Sequence, residues 1–111
     1  MIPLKNIRED LKDIRYYHAR KEIFDSSKGG VGLNKVLDKV ERYNQAIVSA
    51  PPRLFDLYVC LYTMGFTQEA LSVELGLTPE YVQMQHKKLL LFLQAKFEER
   101  EENDESEEDE E

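Results

Sequence analysis

Apolar residues recur at helical steps through most of the chain. Leu4, Ile7, Leu11 and Ile14, with Tyr17 or His18 next in line, stand three and four residues apart, the spacing of one helix face. This stripe predicts a first helix that ends near Phe24. The segment Asp25–Ser26–Ser27–Lys28–Gly29–Gly30–Val31–Gly32 reads as a loop, with three glycines in four residues. Asn34 can cap a second helix striped by Leu37, Val40, Tyr43, Ile47 and Val48. Pro51 and Pro52 close it, because Ala50 before proline is pushed out of helical geometry. Residues 1–50 therefore read as a helical hairpin, whose apolar stripe needs a cover from the rest of the chain or from a second copy.

The punctuation changes between Arg53 and Leu93. An amphipathic helix ends at Gly65, a short helix runs from Thr67 to Leu75, and the tight turn Gly76-Leu77-Thr78 leads into a long helix that opens at Pro79. Glycine enters the left-handed conformation cheaply, so Gly65 and Gly76 suit helix ends. Thr67 and Thr78 can each cap the helix that follows, and proline costs nothing at a first helical position. Ser72 is small where the second helix must cross the first. Leu71, Leu75, Leu77, Val82, Leu89 and Leu93 are expected to join the helices. This is a helix-turn-helix over residues 51–97, whose second helix fits the DNA major groove. No strand-period segment competes, so the fold class is all-α.

The run P-P-R-L-F-D-L-Y-V-C-L-Y-T-M-G-F-T-Q-E-A-L-S-V-E-L-G-L-T-P-E-Y-V resembles region four of bacterial sigma factors, the module that reads the −35 promoter element. It is more similar still to small phage and prophage regulators of the ArpU/RinA type. Those resemble a sigma region-four module behind a helical N-terminal half. About forty of the 111 residues carry the likeness, at Pro52, Arg53, Leu57, Tyr62, Gly65, Thr67, Leu71, Leu75, Gly76, Thr78, Glu80, Val82 and Leu93. Where sigma factors typically place two DNA-contacting arginines, this chain has Pro79 and Gln83, whereas Glu80 is kept and Lys88 falls at a usually basic position. The resemblance with these departures implies either DNA binding at a site other than the standard −35 sequence or binding helped by a second subunit. Leu61 replaces a usually polar or basic residue, so its helix is expected to cover something extra.

Charge sharpens the picture. The formal net charge of −7 is unevenly spread. Residues 98–111 hold eleven Asp/Glu and one Arg, net −10, which leaves residues 1–97 at net +3. The tail has no apolar residue, so it is expected to be disordered beyond a first turn that extends the last helix. It is either a solubilising end or a mobile polyanion that competes with DNA. One cysteine excludes an internal disulfide framework and suits a reducing cytoplasm. No apolar run approaches the ~18 residues of a membrane span, and no secretory stretch stands at the N-terminus.

Helix geometry assigns the DNA-binding candidates. Glu80, Gln83, Met84, Lys87 and Lys88 lie toward one side of the helix that opens at Pro79, while Thr78, Tyr81 and Arg53 are candidate phosphate contacts. Gln83 can pair with adenine, Glu80 can accept from cytosine, and the lysines suit phosphate or guanine. Leu89-Leu90-Leu91-Phe92-Leu93 is apolar all round, so Leu90, Leu91 and Phe92, with Leu61, need a second surface. Either the N-terminal hairpin covers them or a homodimer does. His18 and His86 lack metal-ligand neighbours, Cys60 sits on a packed helix, and the glycine loop lacks the features of a phosphate-binding loop. No enzyme, cofactor, metal or small-molecule substrate is expected. The reading is a sequence-specific regulator of phage or mobile-element genes in the host cytoplasm, with double-stranded DNA as partner. The alternative is a sigma region-four mimic that binds RNA polymerase or another protein; a phage packaging subunit ranks third.

Overall fold

Helix ends fall where the residues supply a reason. The computed structural model describes residues 2–21 and 31–110, with backbone alone at 31–34 and 100–110. Among these residues the fold is all-α. It comprises α1 (Leu4–Ala19), α2 (Val31–Ile47), α3 (Pro52–Tyr58) continuing as a π-helical turn (Val59–Thr63), α4 (Gln68–Leu75) and α5 (Pro79–Glu110). α1 ends at Ala19, with Arg20 as its C-cap. The expected helix end near Phe24 and most of the loop Asp25–Gly32 lie outside the described residues. α2 starts at Val31, so Asn34 falls inside its first turn and is not the cap.

The helix-turn-helix segment follows its local chemistry closely. Thr67 Oγ1 accepts from the Ala70 N–H at 3.0 Å, and Thr78 Oγ1 accepts from the Tyr81 N–H at 3.1 Å. Gly76 sits at φ 67°, in the left-handed region, and ends α4. Around it the Leu77 N–H bonds the Ser72 carbonyl at 2.8 Å and the Gly76 N–H bonds the Val73 carbonyl at 3.2 Å, a Schellman closure. The π turn ends in a wider version of the same device. Met64 N–H reaches back five residues to Val59 O at 2.8 Å, Phe66 N–H reaches Cys60 O at 3.0 Å, and Gly65 takes φ 84°.

One core runs through both halves. α1 packs on α2, on the π turn and on α5. Its buried stripe is Ile7, Leu11, Ile14 and Tyr17, the spacing read from the sequence. The core continues through Val40, Tyr43 and Ile47 of α2 into Leu57 and Tyr58 of α3 and Leu89, Leu90 and Leu93 of α5. The boundary at residues 50 and 51 is therefore not a seam between two cores.

Three groups of residues depart from expectation. Leu61 and Leu90, expected at an interface, are 2% and 0% exposed inside this core. The surface that covers them belongs to the same chain: α1 lies across the π turn and α5. Burying each leucine stabilises the fold by roughly 1.5–3 kcal/mol. Leu75 and Leu77, expected between the helices, are 57% and 40% exposed. α4 is only eight residues long. Leu71 and Ser72 already fill its contact, so the residues at its end overhang it. Leu37 and Val48 are likewise exposed, because Val40, Tyr43, Ala46 and Ile47 form the face of α2 that meets the core.

α5 runs through Glu110, so the backbone of the acidic tail is helical where the sequence predicts disorder after one turn. Two causes favour this. A helix already anchored in the core extends without a new nucleation cost, and glutamate is among the better helix formers.

Candidate nucleic-acid interface

α5 divides into a buried and an open side. Val82, Leu89 and Leu93 are sealed in the core. Glu80, Gln83, Met84, Lys87 and Lys88 are all exposed on the opposite side, together with the N-cap Thr78. Five of the candidate readers thus share one open face at the start of the helix. Leu91 is 45% exposed one turn further on, and Phe92 is half-buried against the core.

The remaining candidates fall on one flank. Arg53 Nη1 donates to the Tyr81 hydroxyl at 2.8 Å, which joins α3 to the first turn of α5. Both line a groove of ≈ 290 Å³ with Leu57, Leu71, Leu75, Leu77 and the half-buried Cys60. Its walls are mainly apolar, and the overhanging Leu75 and Leu77 form its rim. Gln85 reaches into it from α5. Thr78 serves as a cap, so its oxygen is engaged by backbone.

The other flank is chemically different. Arg8, Lys12 and Arg15 of α1 and Lys87 of α5 line a groove of ≈ 510 Å³, with Tyr62, Gln68, Gln83, His86 and Leu90 completing it. No carboxylate belongs to that lining. Among the described residues none of its four cations forms an ion pair. Arg15 donates to the Gly65 carbonyl at 2.8 Å and so ties α1 to the end of the π turn. Tyr62 and His86 share a hydrogen bond at the base of the groove. Burial, and then the charge of Arg8, hold the His86 imidazole below its ordinary range. Burial pushes the Tyr62 phenol up to about 12. His86 is thus neutral and Tyr62 protonated near pH 7, and the imidazole tautomer sets which of the two donates.

The three α1 cations escaped the sequence reading. Arg8, Lys12 and Arg15 stand at steps of four and three residues, a legible stripe of their own. What they face is decided by tertiary packing. The same helix turns its acids the other way: Asp10 and Asp13 hold Lys39 at 3.2 and 2.8 Å, and Asp10 also meets Arg42 at 3.4 Å. The Tyr43 hydroxyl donates to Asp10 at 2.7 Å. α1 therefore turns Asp10 and Asp13 toward α2 and Arg8, Lys12 and Arg15 toward α5.

Among the described residues no group of His, Cys, Asp and Glu could hold a metal ion, and no helix is long and apolar enough to cross a membrane. Compared with protein-family models, curated proteins and solved structures, the chain gives no significant match.

Proposed function

We propose that this protein is a sequence-specific DNA-binding transcriptional regulator that lays the start of α5 in the major groove. The carrying observation is the open face Glu80, Gln83, Met84, Lys87 and Lys88 beside a groove with four cations and no carboxylate. A helix N-terminal end presenting amide and cationic side chains matches the donors and acceptors of base edges, and flanking cations match phosphates. The likeness to sigma region four and to phage regulators supports the same use, on phage or mobile-element promoters in a bacterial cytoplasm.

Fluorescence anisotropy on a selected duplex and a scrambled one tests this reading. Gln83→Ala should narrow the preference between them by ~1–3 kcal/mol, the worth of a bidentate base contact. Lys87→Ala should weaken both duplexes together and flatten the salt dependence. Equal binding by wild type and both variants at both duplexes would overturn the reading.

A second reading draws on the apolar groove on the other flank. Its Leu75 and Leu77 rim is the kind of exposed apolar surface that marks a protein contact. A region-four mimic that binds RNA polymerase would use it without reading DNA. Retention of polymerase with no DNA enriched would favour that role.

A further inference from the structure

The position of α1 carries an inference about how DNA would be held. It rests on the DNA-binding reading above. We infer that α1 is a second DNA-contacting element: Arg8 and Lys12, with Arg15 behind them, receive the sugar-phosphate backbone on the flank of α5 that bears Gln83 and Lys87. The N-terminal half then forms part of the interface itself, not only a support for the helix-turn-helix.

Three observations converge on this. The first is charge segregation within one helix. Asp10 and Asp13 are engaged by Lys39 and Arg42 of α2, while Arg8, Lys12 and Arg15 line the groove beside α5. Glu9, the remaining acid of the helix, does not line it. Exposed cations left without counter-charges raise the local anion concentration and suit phosphate.

The second observation is continuity. Lys87 and Gln83 belong both to the open face of α5 and to this groove. A strand whose bases meet α5 would run its phosphates along the groove with no gap between the two surfaces. Steps of four and three residues place neighbouring α1 cations roughly 4.5–6 Å apart along the helix, close enough to meet neighbouring phosphates of one strand.

The third is rigidity. Arg15 is fixed to the Gly65 carbonyl, the Tyr62–His86 hydrogen bond joins the π turn to α5, and Gln94 Nε2 donates to the Ile2 carbonyl at 2.7 Å. With Leu11 and Leu90 buried in the same core, α1 is held at a set distance from α5. The helix that carries the cations is thus in place before the sugar-phosphate backbone arrives, so little main-chain ordering entropy is lost on binding.

The test uses the full chain and the paired variant Arg8→Gln with Lys12→Gln. Both side chains are exposed and neither forms an ion pair among the described residues, so the melting temperature should hold. Binding is measured from 0.05 to 0.5 M salt on a duplex selected by wild type and on a scrambled duplex. The log–log salt slope should become shallower by about 1.8, two phosphates at about 0.9 each. Affinity for both duplexes should fall by the same factor, with their ratio unchanged. The charge-keeping swap Arg8→Lys with Lys12→Arg should restore the slope. An unchanged slope in the Gln variant, while wild type still selects its duplex, overturns the role of α1 and leaves the α5 reading intact. Loss of binding to polyglutamate in place of DNA would overturn it too and reassign the groove to an acidic protein. If wild type selects no duplex, the parent reading fails and this one fails with it.

Discussion

Replacing Leu90 and Leu91 separately by alanine gives a sharp test of how α5 is covered. The two are adjacent in sequence and differ in surroundings. Leu90 is 0% exposed, in the same cluster as Leu11, Leu61 and Leu89, whereas Leu91 is 45% exposed. Truncating a sealed leucine removes transfer free energy and leaves a cavity, so Leu90→Ala should cost ~2.7–5 kcal/mol. Leu91 retains much of its water contact. Its truncation should cost under ~1 kcal/mol, a fraction of the 1.5–3 kcal/mol of a fully buried leucine. At ~4–8 °C per kcal/mol for a domain of this size, Leu90→Ala should melt at least ~10 °C lower. Urea denaturation followed by circular dichroism, at several protein concentrations, reads both values. The covering surface lies within the chain, so the midpoints should not move with concentration. Equal costs at the two positions, or a midpoint that rises with concentration for wild type but not for Leu90→Ala, would refute intramolecular burial and restore Leu90 to an interface between copies.

Three further outcomes follow from particular residues. Gly76→Ala meets no atom within 4 Å, yet places a Cβ at φ 67°; it should cost ~1–2 kcal/mol in urea denaturation through backbone strain alone. The His86 imidazole is held below its ordinary range by burial and by Arg8. A base whose folded pKa is depressed leaves stability intact above its unfolded value and loses it as pH falls below that value. Wild type should therefore lose more stability than His86→Gln between pH 7.5 and 5.5, and parallel losses would contradict the assignment. Deleting residues 101–111 removes most of the −10 of the acidic segment, so nonspecific DNA binding should tighten more than specific binding at low salt, with the gap closing as salt rises. Unchanged nonspecific affinity would leave the segment a solubilising end.

The sequence disclosed most where structure is local. Thr67, Gly76, Thr78 and Pro79 each act through their own backbone and nearest neighbours, and the two caps and the αL turn stand where the sequence places them. The stripe Ile7, Leu11 and Ile14 was legible for a similar reason, since three- and four-residue spacing sets a helix face. The open face at Gln83 and Lys87 followed from the same geometry.

What depended on neighbours distant in sequence was not legible. Leu61 showed that something extra covers its helix, but only the crossing of α1 identifies the cover. The π turn at Val59–Thr63 carries no residue that announces it. Leu75 and Leu77 have the composition of core residues, yet a short α4 leaves them at the rim of a groove. Arg8, Lys12 and Arg15 form a readable stripe, but nothing in their spacing tells which helix lies beside it.

Selection of bound sequences from a random pool of DNA duplexes tests the central claim most directly. The full chain should enrich a defined sequence, and the pool selected by Gln83→Ala should lose its preference at one base pair while keeping the rest. A wild-type pool that stays random after repeated rounds, at salt low enough to retain nonspecific complexes, would contradict the claim that the face of α5 reads DNA.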